Sequence, residues 1–400
     1  MFYSCSAREN RGSCSKHWTN IPEVDAHGYP TQTYLFRHQP LAGHLPDEFE
    51  QPSQAQSTRT GSNFRWPFCS SVTREESKPG DTPPPPSNPP NHHEHYKLGP
   101  VLGKGRTSRV YDARDIRSHK KVALKIVGGG DHALGVHYAN EKRALMAVSS
   151  KYIIQLIEFS DSTFFLTCPA HILVLEHCPN GDLFCILEKC GALKEAYARM
   201  YARQIFEALE ACHSQSIFHR DLKPENILVS EDWTLKLADF GYASFDSRST
   251  SGSVCGTTGY MAPELFTNSL YSPAMCDVWS AAVITFILLT AKPPVRLATS
   301  DCSYFRKMKE SDWRGFWAAH EREVEVSAGA KQFLQRLLSP VWRPSVHHAL
   351  QLPWLSETVD PSQSELSSFM RNKIEMPISK DSCTGIGQSI LDGHELHAAA

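Results

Sequence analysis

The chain lacks a long apolar run and an export signal. Its longest largely apolar stretch, Ala281–Leu289, is too short to cross a bilayer, which takes about 20 helical residues. No basic segment followed by an apolar one opens the chain, so we expect no secretory leader. These absences predict a protein without membrane insertion.

The chain also lacks a strong excess of either charge, because 41 Lys and Arg residues nearly balance 43 Asp and Glu residues. Proteins that bind nucleic acids or anionic membrane surfaces are usually basic, so we expect no nucleic-acid partner. The 12 cysteines show no paired spacing, which favours reduced thiols over a disulfide framework. We therefore expect a cytoplasmic protein, with the nucleus as an alternative compartment. We also expect a monomer.

Residues 1–91 lack any sustained apolar period and are rich in polar residues and proline. Such a segment cannot bury enough apolar area to offset the entropy of ordering, so we predict a disordered, proline-rich leader. Its tract Thr82–Pro90 favours an extended polyproline II spacer, with docking to an SH3 or WW module as the alternative. The cluster His92–His95 is a candidate metal site, but it has no second ligand pair, and we favour solvated side chains.

Patterned sequence occupies residues 96–355. Its first part alternates apolar and polar residues between turn signals, as in an antiparallel sheet, and segment 139–149 has helical apolar spacing. After Gly181 the pattern is mainly helical, with helices predicted at Leu183–Leu187, Ala196–His213, Pro273–Thr290 and Ala328–Leu338. A sheet followed by helices predicts an α+β architecture of two lobes.

Residues 356–400 are polar, with a weak amphipathic patch at Leu366–Ile374. We predict a mostly disordered tail.

Two short motifs carry the chemistry of phosphoryl transfer. Residues 219–226 read His-Arg-Asp-Leu-Lys-Pro-Glu-Asn, and residues 239–241 read Asp-Phe-Gly. Asp221 can orient an attacking hydroxyl and accept its proton, and Lys223 can neutralise charge on the phosphoryl group. Asn226 and Asp239 can supply the oxygen ligands that Mg²⁺ prefers. Each motif alone is weakly specific, but together and in this order they strongly favour phosphoryl transfer.

In these motifs the chain resembles the eukaryotic serine/threonine protein kinases. It is more loosely similar to their calcium/calmodulin-dependent group. The resemblance covers residues 96–355 and implies the two-lobed protein kinase fold. In that fold a small antiparallel-sheet N-lobe with one main helix precedes a larger, mostly helical C-lobe. The resemblance also implies ATP and Mg²⁺ as cofactors and proteins as substrates.

The resemblance places the nucleotide phosphates beneath a glycine loop. Gly103 and Gly105 let backbone amides approach phosphates, and Val110 follows at the spacing of the valine that covers adenine. The third glycine of the family pattern is replaced by Ser108, and the usual aromatic residue at the loop tip is replaced by Thr107. We therefore expect a looser grip on the phosphates.

Lys125 lies in an apolar segment, where a lone ammonium group is costly to bury. The resemblance supplies Glu141 as its partner, and this pair would direct Lys125 to the α- and β-phosphates. Backbone groups of Glu176 and Cys178 would bind adenine, and Asp182 would contact a ribose hydroxyl or the substrate. The implied nucleotide-binding set is Leu102, Gly103, Lys104, Gly105, Val110, Ala123, Lys125, Glu176, Cys178, Asp182 and Leu228.

Lys223 and Thr257 are typical of serine/threonine kinases rather than tyrosine kinases. In the serine/threonine kinases this threonine bonds the catalytic aspartate and lysine. Two further implied contacts are structural. Glu264 would pair with Arg343, and Asp277 would hold the backbone of the His-Arg-Asp turn.

Arg220 indicates regulation, because an arginine at this position of the family often pairs with an activation-loop phosphate. Ser253 is the expected phosphoacceptor, with Thr250 and Ser251 as alternatives, and an upstream kinase would then be a partner. The other interpretation is that Arg220 pairs with a fixed acid and needs no phosphate.

Two other classes of protein fit the sequence less well. A catalytically inactive kinase-fold scaffold usually loses one of the three charged residues that this chain keeps, Lys125, Asp221 and Asp239. A small-molecule kinase of related fold would lack the Ala-Pro-Glu segment at 262–264, which forms the peptide platform.

Deletion of residues 1–91 should leave the melting temperature and peptide phosphorylation nearly unchanged, because the leader has few patterned apolar residues to pack on the domain. Thermal unfolding and activity of the full-length and truncated chains measure this. A fall in melting temperature of several degrees would show that the leader docks and that the boundary before residue 96 is wrong.

Overall fold

The computed structural model describes residues 95–105, 108–129, 132–165, 168–248, 255–267, 270–321, 324–357 and 359–375. The predicted leader lies outside these residues, as does the end of the tail. Thr107 and the three candidate phosphoacceptors, Thr250, Ser251 and Ser253, also lie outside them.

The first described segments form an antiparallel sheet in the spatial order β1-β2-β3-β5-β4. Its strands are β1 (Tyr96–Lys104), β2 (Ser108–Asp115), β3 (Lys121–Gly128), β4 (Leu156–Phe165) and β5 (Cys168–Glu176). The central strand β3 is apolar on both faces. Val122, Leu124 and Ile126 enter one buried cluster, and Val127 enters the other. The strand that carries Lys125 is therefore fixed from both sides.

Helix α1 (His132–Ala147) follows β3 and contacts the sheet. It begins about two turns before the predicted segment 139–149. The early turns include Gly135 and polar residues, which hide the helical period. Tyr138, Ala144 and Leu145 are buried, so packing on the sheet, rather than intrinsic helix propensity, stabilises these turns.

The connection at 160–170 is a few residues longer than is usual in the family that the chain resembles, which predicts a loop extension. Instead, β4 continues to Phe165 and β5 begins at Cys168. Thr163 pairs with Ala170, and Phe165 pairs with Cys168. Phe165 and Ala170 are buried in an apolar cluster of the sheet. Continued strand pairing is favourable here because it places these side chains out of water.

The remaining described chain is mainly helical and forms the second lobe. It comprises a short hairpin, β6 (Ile227–Val229) and β7 (Leu235–Leu237), and the helices α2 (Leu183–Cys190), α3 (Glu195–Ser214), α4 (Pro273–Thr290), α5 (Ser303–Lys309), α6 (Trp313–His320), α7 (Ala328–Leu337), α8 (Val346–Leu350), α9 (Pro353–Ser356) and α10 (Gln363–Glu375). These bounds confirm the four predicted helices to within a few residues. The predicted two-lobed α+β architecture is also confirmed.

Helix α4 forms the centre of this lobe. By length and composition it could cross a membrane, but every side chain from Cys276 to Thr290 is buried inside the lobe. Near its start, Ser280 Oγ donates a hydrogen bond to the carbonyl of Tyr260 at 2.8 Å. The predicted pair of Glu264 and Arg343 is confirmed, because Arg343 Nη2 donates to Glu264 Oε1. These contacts fix the 263–266 segment to the helical core.

The tail differs from its prediction in part. Residues 363–375, which fall in the segment predicted to be mostly disordered, form α10. Leu366 and Met370 on this helix are fully buried against the second lobe. The weak amphipathic patch thus forms a helix because a tertiary surface covers its apolar side.

Candidate active site

Lys125 is anchored between the sheet and α1. Its Nζ lies 2.8 and 2.6 Å from the two carboxylate oxygens of Glu141. Lys125 is 8% exposed and Glu141 is 2% exposed, so little water reaches either charge. Each charge therefore depends on the other for compensation. The structure therefore brings together the two residues that the spacing paired.

Asp239 joins this pair from the second lobe. Its Oδ1 lies 2.9 Å from Lys125 Nζ, while about half of its side chain remains exposed. The positive charge of Lys125 lowers the pKa of Asp239 to about 2, against the opposing effect of burial. Burial alone would lower the pKa of Lys125, but the charges of Glu141 and Asp239 raise it above its usual value. Both groups are therefore ionised at neutral pH.

The Asp-Phe-Gly turn is held by contacts on both sides. Phe240 is fully buried, and its ring meets the His219 ring edge-on at 4.9 Å between centroids. The carbonyl of Gly241 lies 2.9 Å from His137 Nδ1 on α1. With Phe240 packed inward, the preceding residue, Asp239, adopts a left-handed backbone with φ of 60° and contacts Lys125.

His137 was missed by the sequence reasoning. It lies in the early turns of α1, which the predicted segment did not include, and no motif marks it.

The catalytic loop is fixed through its backbone by a buried carboxylate. Asp277, 1% exposed, accepts hydrogen bonds from the amides of His219 and Arg220, each at 2.8 Å. This confirms the contact expected of Asp277. Two amide donors held at one acid stabilise the positive φ of Arg220, 67°, which a non-glycine residue rarely adopts.

Asp221, Lys223 and Thr257 form a compact triangle. Thr257 Oγ1 donates to Asp221 Oδ1 at 3.0 Å, and Lys223 Nζ donates to Thr257 Oγ1 at 2.8 Å. Lys223 Nζ is also 3.0 Å from Asp221 Oδ2. Gly256 makes this approach possible, because a Cβ there would lie 2.7 Å from the carbonyl of Arg220. The activation segment thus contacts the catalytic loop at the proposed base.

Asn226 and Asp239 fit a magnesium ion. Asn226 Nδ2 donates to the carbonyl of Asp221 at 2.8 Å and to its Oδ2 at 3.1 Å, which leaves Asn226 Oδ1 for a cation. Mg²⁺ prefers hard oxygen donors and completes its shell with water and phosphate oxygens. Within the described ranges no group of three or more His, Cys, Asp or Glu side chains could hold a metal. Two protein donors suit an ion that arrives with a nucleotide.

A backbone hydrogen bond joins the two sides of the glycine loop. The amide of Gly105 donates to the carbonyl of Ser108 at 2.9 Å. Ser108, which replaces the third glycine of the family pattern, therefore closes the loop through its backbone. Gly103 pairs with Val110 across β1 and β2. Leu102 and Lys104 are exposed near the end of β1.

The carboxylate of Glu176, the last residue of β5, is engaged in contacts within the protein. The side chain of Glu176 lies 2.9 Å from Lys236 and accepts from the amide of Gln155 at 3.0 Å. Burial raises the pKa of the Cys178 thiol to about 12, so this side chain is uncharged at neutral pH. Asp182 forms an isolated bridge with Leu228. Ala123, which sits one strand away in register with Leu175, is buried.

A family model described as the protein kinase domain matches residues 96–355. The chain belongs to the protein kinase family. This confirms the resemblance drawn from the motifs and the two-lobed kinase fold.

Several curated relatives share this domain. The chain is 33% identical to putative CBL-interacting protein kinase 27 of Oryza sativa subsp. japonica, over 66% of this chain and 64% of the relative. It is 32% identical to testis-specific serine/threonine-protein kinase 3 of Homo sapiens, over 66% of this chain and 97% of the relative. CBL-interacting protein kinase 29 of the same rice is 30% identical, over 69% and 62%. The match thus spans less than two thirds of these rice kinases and nearly all of the human one.

Lys125→Met should lower phosphoryl transfer about 100-fold or more, because it removes the cation expected at the phosphates. It should also lower the melting temperature, since Glu141 is left buried without its partner. Steady-state kinetics and thermal unfolding measure both effects, with the exposed Lys97→Met as the matched control. An unchanged kcat in folded Lys125→Met would mean that another cation holds the phosphates.

Proposed function

We propose that this chain is a serine/threonine protein kinase that transfers the γ-phosphoryl group of MgATP to hydroxyls of protein substrates. The observation that carries the proposal is the contact of Thr257 with both Asp221 and Lys223. Such a triangle provides a fixed carboxylate for the hydroxyl and a fixed cation for the phosphoryl group. The relatives' names, which include serine/threonine-protein kinase, support the same class.

The two halves of the site share one electrostatic environment. After Lys125, whose contribution is the largest, the charge of Lys223 also lowers the pKa of Asp239. Asp221 would align the substrate hydroxyl with the γ-phosphorus and accept its proton, while Lys125 and Lys223 stabilise negative charge on the phosphate oxygens. Mg²⁺ held by Asn226 and Asp239 would neutralise further phosphate charge.

The inactive-scaffold alternative is not favoured. An inactive scaffold has no need for a lysine buried beside two carboxylates, yet Lys125 is held at 2.6 and 2.9 Å from Glu141 and Asp239. A chain under no demand for catalysis could replace such a costly ion cluster with apolar side chains at little cost in stability.

We also propose that phosphorylation of Ser253 gates the activity. Arg220 has its backbone fixed by Asp277. Burial raises the pKa of the Cys255 thiol, and the charge of Arg220 opposes this rise; Cys255 lies two residues after Ser253 in the chain. A phosphate on Ser253 would offer Arg220 a bidentate partner and order the segment that ends at Thr257. An upstream kinase would then be a partner of this chain.

Peptide preference and cellular setting are further proposals. The carboxylates of Asp182 and Glu225 would favour an arginine a few residues before the target hydroxyl. We expect a monomer in the cytoplasm, on the basis of composition alone.

Asp239→Ala should lower phosphoryl transfer at least about 1,000-fold, because it removes both a metal ligand and the carboxylate paired with Lys125. The half-exposed side chain buries little apolar surface, so the fold should survive. An assay with labelled ATP and a peptide substrate measures the rate, with the exposed Asp246→Ala as the control. Near-normal turnover in correctly folded Asp239→Ala would exclude the proposed mechanism.

Ser253→Ala should lower activity at least about tenfold, in line with the usual coupling between a switch and its site. Arg220→Ala should have the same effect, and the double variant should be little worse than either single one. Ser247→Ala, an exposed serine earlier in the loop, should be neutral. Full activity of enzyme that mass spectrometry shows to be unmodified at Ser253, Thr250 and Ser251 would exclude gating by phosphate.

A further inference from the structure

The segment 359–375, just beyond the residues that match the family, packs closely on the catalytic domain. We call it the C-terminal clasp. On its helix α10, Leu366 and Met370 are fully buried. The ring of Phe369 stacks on Tyr197 of α3 with 4.1 Å between ring centroids. Burial of large apolar side chains stabilises a docked segment, so the clasp is held firmly.

Charged contacts fix the start of the clasp. Asp360 accepts hydrogen bonds from Arg199 Nε at 3.2 Å and from Arg203 Nε at 2.7 Å. The carbonyl of Val359 accepts a further bond from Arg199 Nη2 at 3.1 Å. Arg199 is only 8% exposed, so removal of Asp360 would take away the carboxylate that hydrogen-bonds this buried cation. Asp360 is therefore the residue on which docking of the clasp most depends.

The clasp packs against α2, a helix whose N-terminal end is held to β6 by the hydrogen bond from the amide of Val229 to the carbonyl of Gly181 at 2.8 Å. α2 has eight residues and lies between two glycines with positive φ, Gly181 at 77° and Gly191 at 67°. Glycine adopts such angles at little cost and allows neighbouring angles as readily. The tilt of α2 beyond this anchor therefore depends on what packs against it. α10 contacts α2, and Leu366 and Met370 share the apolar cluster of Ile186.

Asp182, the N-cap residue of α2, lies at the edge of the proposed nucleotide site. Asp182 Oδ1 accepts from the amide of Cys185 at 2.8 Å and caps the helix. The backbone of Asp182 also bridges to Leu228 in β6. A rotation of α2 would therefore move the carboxylate that is expected to contact ribose or substrate.

We propose that the C-terminal clasp is a positioning element for the nucleotide site. Through Asp360, Leu366 and Met370 it sets the orientation of α2, and α2 sets the position of Asp182. The inference rests on the proposed function in assigning Asp182 to the ribose edge. It assigns a role in nucleotide affinity to residues outside the matched family domain.

Asp360→Ala in the full chain tests the proposal. We expect the KM for ATP and the Kd for ADP to rise about fivefold, at the lower end of coupling between distant sites, with kcat changed less than about twofold. Arg371→Ala, an exposed residue of the same helix, should change none of these values. Asp360→Glu, which keeps the carboxylate, should restore much of the affinity.

A second single variant and a double-mutant cycle keep the test decisive. Phe369→Ala leaves the ion pairs intact but loosens α10, and it should also raise the Kd for ADP even if Asp360→Ala fails to fold. Arg203→Ala combined with Asp360→Ala should be little worse than Asp360→Ala alone, because both remove one contact. A lower melting temperature with unchanged KM and Kd in folded Asp360→Ala and Phe369→Ala would mean that the clasp only stabilises the fold, and would overturn the proposal. Absence of ATP binding and turnover in the wild-type chain would instead refute the proposed function.

Discussion

The ammonium group of Lys125, held between the carboxylates of Glu141 and Asp239, is the interaction on which the rest of the site depends. Three charges come from the central strand, from α1 and from a loop of the second lobe. Each alone would be costly to bury, and together they compensate one another only at hydrogen-bond distance. The ion cluster therefore forms only when α1 is docked on the sheet and the Asp-Phe-Gly turn is packed inward.

A second constraint acts within the larger lobe. The buried Asp277 gathers the amides of His219 and Arg220, and Thr257 closes the loop from the other side at Asp221. One constraint orders the groups that hold the nucleotide, and the other orders the groups that act on the hydroxyl. The helix α4 carries Asp277 and is buried along nearly its whole length, so the rigid core of the lobe extends directly into the catalytic loop.

Much of this site was predictable because its chemistry constrains the sequence. A lysine in an apolar strand requires an acid, and the resemblance to protein kinases identifies Glu141 as that acid. Long apolar periods predicted α4 and α7. What escaped prediction depends on tertiary contacts that no local pattern encodes. The early turns of α1 and the whole of α10 would be weak helices in isolation. The first form because Tyr138 is buried against the domain, and the second because Met370 is. The β4–β5 extension pairs because Phe165 is buried, although its polar neighbours read as a loop.

The most direct measurement of the central claim is phosphate transfer from labelled ATP to a degenerate peptide array by the full chain, with and without Mg²⁺. The account predicts Mg²⁺-dependent labelling of serine- and threonine-containing peptides, with little labelling of peptides whose only hydroxyl is tyrosine. Labelling confined to tyrosine, or no labelling from a folded chain that binds ATP after treatment with an activating kinase, would contradict it.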